Sequence, residues 1–297
     1  MTARSVAVDR QQSGEGAELH FGHFAGITEY REVNRELIRE LFDHLPNPFV
    51  HVDVATGTGL VPQLLIEAAE ERGYAGRIVG LDLEPKSIEL ARATTPSSAH
   101  VSVEFVQGDA RDVHRLLAGE IPPSGADSVS IHDAIHEIDR EEDQRAVYGG
   151  MAKLAKAGAV LSSNSSFTTI SMKTDTSMRA YGEWKLLLVR LLNAKRNRGK
   201  ITLVYRSPDA YKRMIEEAGF AIIHERERVV RLSKRALHAI SCYPKFIEGM
   251  CRDLIVDRDL SIQELSHYMR SALDRLRFDA LPRVWHEVLA RRVPAGA

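Results

Sequence analysis

Along the first half of the chain, short and largely apolar runs alternate with amphipathic stretches of helical length. The runs cover residues 49–54, 77–83, 101–106, 128–131 and 159–163. Strands buried on both faces read this way, and the order strand, helix, strand predicts an α/β fold with a parallel sheet covered by helices. Ahead of them, Val33, Leu37 and Leu41 recur at helical spacing between Tyr30 and His44, until Pro46 and Pro48 end the pattern. Asp139 with Glu142 reads as a capping box before Val147, Met151 and Leu154, with Gly158 in the place of a C-terminal cap. Ser207 and Pro208 start another helix and Gly219 stops it. Residues 220–232 read as a further strand, interrupted by His224, Glu225, Arg226, Glu227 and Arg228.

Two segments break the alternation. Met178, Tyr181, Trp184, Leu188 and Leu191 form an apolar stripe at helical spacing. Residues 233–276 have a helical pattern broken by Pro244, with Ser261 and Glu264 as a second capping box. The last apolar stretch, 283–291, fits a strand or a helix equally well by periodicity. No internal repeat or low-complexity run occurs.

Composition narrows the class. With 297 residues, 44% of them hydrophobic and 27% charged, the chain has the make-up of a soluble globular protein of about two domains. Forty basic residues against 41 acidic ones give a net charge of -1, so no global field draws in nucleic acid. Lys195, Arg196, Arg198 and Lys200 are the strongest basic cluster, and read as a solvated loop. Cys242 and Cys251 are too few for a disulfide framework and lack the spacing of a zinc site. No metal is expected. The polar start, with no run long enough for a signal peptide or a membrane span, predicts a cytoplasmic protein with a loose N-terminal tail and no membrane partner.

The chemistry concentrates where strands end. Val52 and Asp53 run into Ala55, Thr56, Gly57, Thr58 and Gly59, a glycine turn that opens a helix. Such a turn lets a ligand approach the backbone and offers free N–H groups. Pro62 stands where a dinucleotide fingerprint has its third glycine, which argues against NAD or FAD. Asp82 follows Gly59 by 23 residues at the end of the second strand, the place of an acid that accepts both ribose hydroxyls. Asp109 ends the third strand, where it would cap the next helix or accept a purine amine.

Taken together, these segments resemble the class I S-adenosylmethionine (SAM)-dependent methyltransferases, in particular the small-molecule group acting on quinones and polyketides. Residues 53–59 look like the family's first motif, Gly80-Leu81-Asp82 its ribose-binding strand end and Gly108-Asp109-Ala110 its adenine-edge motif. Residues 126–138 look like the fourth-strand motif, and 154–159 stand at the family's Leu-Lys-Pro-Gly-Gly turn, without its proline and one glycine. The resemblance implies a Rossmann-like, seven-stranded, mainly parallel sheet with helices on both faces and a helical cap formed by insertions. The tail would cover residues 1–28, and the core 29–169 and 207–232. The insertions would be 170–206 and 233–280, and a final strand and tail would fill 281–297. It implies SAM as cofactor, held by Asp53, Ala55, Gly57, Gly59, Asp82, Leu83, Asp109, Ala110 and His132.

Methyl transfer from a sulfonium is an in-line displacement that needs alignment more than covalent help. Where the nucleophile is a hydroxyl or carbon acid, a base must take its proton, and His132 and His136 follow the fourth strand as candidates. Each also has a plain structural reading, as a satisfied or packed histidine. Phe24, Tyr30, Asp133, Met178, Tyr181 and Trp184 are the candidate acceptor contacts, although core packing explains the 178–188 stripe as well. His20 and His23 would close from the tail. The expected partner is a small acceptor methylated at oxygen or carbon, with homodimerisation left open. The competing readings are an RNA or protein methyltransferase, and a protein that holds SAM structurally while catalysing another reaction.

Overall fold

In the computed structural model, residues 4–5, 19–197, 199 and 205–294 are described. Most of the N-terminal tail, and Arg198 and Lys200 of the basic cluster, lie outside the described residues. The described residues form two compact units, one within 31–171, 205–228 and 284–297, the other within 1–30, 172–204 and 229–283.

The first unit carries a seven-stranded sheet. Its strands are β1 (Phe49–Val54), β2 (Gly76–Asp82), β3 (Val101–Gln107), β4 (Ala126–His132), β5 (Ala155–Ser165), β6 (Phe220–Ser233) and β7 (Ala280–Arg292), in the order β3-β2-β1-β4-β5-β7-β6. The strands β3, β2, β1, β4 and β5 run parallel, and β7 is antiparallel to β5. Residues 283–291 are therefore a strand. The helices are α1 (Thr28–Phe42), α2 (Leu60–Arg72), α3 (Pro85–Thr94), α4 (Val113–Leu117), α5 (Glu141–Leu154) and α7 (Pro208–Glu217). The order reverses between β1 and β4, and at such a switch point the loops leaving the strand ends diverge to leave a crevice.

One face of this sheet is apolar. Val52, Val129, Leu161 and Ala290 lie in register across β1, β4, β5 and β7, and pack in a core with Val113, Val147, Met151, Tyr211 and Met214. One residue along each strand, the other face carries Asp53, Ser130 and Ser162 in one row and His132, Asn164 and Glu287 in another. All six are buried. Glu287 is held between Arg226 and Arg228 of β6, which also pair with Glu40 and Glu36 of α1.

Local signals decide most helix ends. Ser207 caps α7 by accepting from Ala210 N, and Gly219, at φ +91°, follows it. The expected capping box at Asp139 does not form: Arg140 is the N-cap of α5 and has no side-chain cap bond. Gly158 is not a helix cap either, because β5 begins at Ala155 directly after the helix and Gly158 sits within the strand at φ +82°.

The second unit is mainly helical, with α6 (Asp175–Leu191), α8 (Lys234–Ile240), α9 (Pro244–Cys251) and α10 (Ile262–Asp274). The capping box of Ser261 and Glu264 is complete. Trp184 is fully buried and its indole N–H donates to Met269 O at 2.9 Å. Buried Asp253 pairs with Lys185 and Arg196, so Arg196 of the basic cluster is committed to an internal ion pair. Among the described residues no helix is long and apolar enough to cross a membrane, no group of side chains could hold a metal, and both cysteines are free.

Candidate active site

The carboxyl ends of β1 to β4 bring the first motif, Asp82, Asp109 and the fourth-strand histidines to one edge of the sheet-bearing unit. The turn after β1 is left-handed at Ala55 (φ +55°), Gly57 (φ +55°) and Gly59 (φ +87°). A Cβ on Gly59 would also meet Thr95 Oγ1 at 2.6 Å, so glycine serves both the conformation and the close approach of α3. Gly59 is the N-cap of α2 and has no side chain to cap it, so the first N–H groups of that helix have no intrahelical partner.

Asp82 holds this turn in place. Its Oδ2 accepts from Gly57 N at 2.8 Å and its Oδ1 from Glu84 N at 2.9 Å. Leu83 beside it is 61% exposed, an apolar surface at a strand tip. Asp109 caps the turn Ala110–Asp112 through Arg111 N at 2.9 Å, and the Arg111 guanidinium holds its carboxyl below the usual range. Ala110 is half-buried at the start of that turn.

Asp53 is buried at the tip of β1. Its Oδ1 accepts from Ser130 Oγ at 2.6 Å. Its Oδ2 and the nearby Thr56 Oγ1 are buried without a hydrogen-bond partner of good geometry among the described residues. Burial pushes the Asp53 carboxyl up to about 7, against the pull of the Ser130 and Thr56 hydroxyls. A buried carboxylate oxygen without a donor of good geometry has lone-pair capacity for a further one.

His132 is at the position the sequence favoured for a base, but both of its ring nitrogens are engaged. Asn34 Oδ1 accepts from Asn164 Nδ2 at 2.9 Å and lies 2.9 Å from His132 Nδ1, so Nδ1 carries the ring proton. His132 Nε2 then accepts from Ser162 Oγ at 2.8 Å. Burial holds this imidazole down to about 3. His132 is thus a neutral histidine with both ring nitrogens engaged inside the fold, which opposes the role of base. Asp133, at φ +50°, is likewise occupied, accepting from Ser166 N at 2.6 Å and Ser166 Oγ at 2.9 Å.

His136 is half-buried and stacks on Phe167 with ring centroids 4.0 Å apart, and Tyr205 lies beyond Phe167 at 6.2 Å. The other proposed acceptor contacts belong to the helical unit. Phe24 and Tyr30 are buried in an aromatic cluster with Phe21 and Tyr243, and His20 stacks on His23. Tyr181 lies under the Arg283 guanidinium and Met178 is 52% exposed, whereas Trp184 is a core side chain. Sequence reasoning missed His51, Ser130 and Thr56 around Asp53, and Phe167 and Tyr205 around His136. Period-two alternation could have placed His51 beside Asp53, and Ser128 and Ser130 beside His132, on one face of their strands.

A methyltransferase domain family matches residues 49–219, more than half of the chain. No curated protein matches it in sequence. Among solved structures, YcgJ from Bacillus subtilis is 11% identical, with 89% of this chain and 100% of that one covered and a TM-score of 0.52. A SAM-dependent methyltransferase from Methanosarcina mazei is 12% identical, with 86% and 97% covered and a TM-score of 0.50. At these identities the likeness is one of fold, and it agrees with the strand order and the glycine turn. On the family match, the chain belongs to the class I methyltransferases, whose methyl donor is SAM.

Proposed function

We propose that this methyltransferase acts on a small, apolar or aromatic metabolite at oxygen or carbon. The donor side of this reading rests most on the buried Asp53 carboxylate beside the glycine turn, whose Oδ2 lacks a partner of good geometry among the described residues and is suited to the ammonium of the donor's methionine moiety. Asp82 would take the ribose hydroxyls, Leu83 would cover one adenine face and Asp109 with Ala110 would meet its edge. Ala55, Gly57 and Gly59 keep side chains out of the way.

Bound SAM supplies a methyl group on a sulfonium, which leaves as a neutral thioether. The chain then has to align the acceptor and exclude water, and alignment alone is worth about 7 to 11 kcal/mol in ideal geometry. His136 is the proposed proton acceptor, since His132 is committed to Asn34 and Ser162. The flat faces of His136, Phe167 and Tyr205 support an aromatic acceptor.

Calorimetry with SAM and S-adenosylhomocysteine tests the donor site. Asp82→Ala should lower affinity on the order of 100-fold, the loss of charge-assisted bonds to two hydroxyls. Unchanged affinity removes the ribose assignment. Transfer of labelled methyl into a cell-extract fraction tests the base: His136→Ala should keep donor affinity and lose roughly 100-fold or more in turnover. Full turnover in that variant would mean transfer by positioning alone.

A further inference from the structure

Asp53 is the last member of a buried chain that crosses from β1 to β4 and back. Ser130 Oγ lies 2.6 Å from Asp53 Oδ1 and 2.8 Å from His51 Nε2, and His51 Nδ1 lies 2.6 Å from Ser128 Oγ. His51, Ser128 and Ser130 are fully buried. The strand register produces the contacts: His51 is level with Ser128 and Asp53 with Ser130, and alternation turns all four to the same face.

Proton counting fixes the direction of the chain when Asp53 is ionised. The Ser130 hydroxyl has one hydrogen, and a carboxylate can only accept, so Ser130 donates to Asp53. Ser130 must then accept from His51 Nε2–H, which makes His51 Nδ1 an acceptor for the Ser128 hydroxyl. Within this hydrogen-bonded set, Asp53 Oδ2 is the one polar atom without a partner of good geometry among the described residues. The arrangement pins Oδ1, while the Thr56 hydroxyl also pulls on the carboxylate and Oδ2 keeps lone-pair capacity for a further donor.

On the donor reading above, we propose that Ser130, oriented by His51, is the positioning residue that aims Asp53 at the cationic amino-acid end of the donor. Ser130 touches no ligand in this scheme. It acts through Asp53, so its loss should be felt only by ligands that carry the ammonium.

The test is calorimetry with two ligands, S-adenosylhomocysteine, which has the ammonium, and 5′-methylthioadenosine, which lacks it. Ser130→Ala should weaken the first about tenfold, the scale of one hydrogen bond to a charged group, and change the second less than about twofold. Ser130→Thr, which keeps the hydroxyl, should restore most of the affinity. His51→Gln should show the same selectivity with a smaller effect. If the alanine variant does not fold, Ser130→Cys, a poor donor of similar volume, should give the selective loss. Equal losses for both ligands, or no loss for either, overturn the proposal. Wild-type protein that binds methylthioadenosine but not S-adenosylhomocysteine overturns it too, while the nucleoside site stands. Binding of neither ligand overturns the donor reading itself, and the proposal with it.

Discussion

At neighbouring positions of the same strands, the sheet shows Val52, Val129 and Leu161 to one side and Asp53, Ser130 and Ser162 to the other. Both rows are buried. Central strands of parallel sheets are usually apolar on both faces, since polar groups there must find partners without water. The polar face meets this demand by pairing side chains across strands: His51 with Ser128 and Ser130, His132 with Ser162 and, through Asn34, with α1. The apolar face is stabilised by area removed from water, which tolerates imprecise packing. The polar face depends on geometry, and a single missing partner leaves a buried group unsatisfied.

The largest expected effect breaks the apolar side. Leu161→Ala should cost about 2–5 kcal/mol in urea unfolding, by lost burial and the cavity left behind; a loss under 1 kcal/mol would show that this row is not central to the core. On the polar side Ser162→Ala should cost about 1–3 kcal/mol, because His132 Nε2 loses its donor. Because His132 also donates to Asn34, the double variant Ser162→Ala with His132→Leu should cost less than the sum of the two single changes, the mark of a shared bond. Additive losses would mean that the two side chains act independently.

The smallest effect is a slope with pH. His51 and His132 are held down to about 3 by burial, so as pH falls below 6.5 the unfolded chain takes up protons that the fold does not. Each contributes stability that is present above 6.5 and lost on acidification, at about 1.4 kcal/mol per pH unit. Asp53 works in the opposite sense. Its carboxyl, raised to about 7, contributes stability that is full below 3.8 and lost as pH rises through 7. The three groups together should lose about 1.4 kcal/mol per pH unit between roughly pH 6 and 4.5. His132→Gln should flatten that slope, as measured by urea unfolding at the two ends of the range. An unchanged slope would mean that the acid sensitivity lies elsewhere.

The sequence carried the alternation of strands and helices, the glycine turn and the acids at the strand tips, because each depends on residues close together in the chain. Ser207 and Ser261 were legible as caps for the same reason. Partnership was not legible. His132 looks like a base from its position after a strand. Its commitment shows only when Asn34, 98 residues earlier, and Ser162 come within 3 Å. The same holds for Ser130, separated from Asp53 by 77 residues. The start of β5 was missed because Gly158 resembles a helix stop, while the end of α5 is set by pairing of Ala155 with Ala126.

The carboxylate of Asp82 clasps Gly57 N and Glu84 N. The strand tip and the bend beside it are therefore tied together, and a nucleoside bound as proposed would meet a ledge already in place. Because the ordering cost of that ledge would be met when the chain folds, discrimination among adenosine compounds would fall to the parts each one carries beyond the sugar.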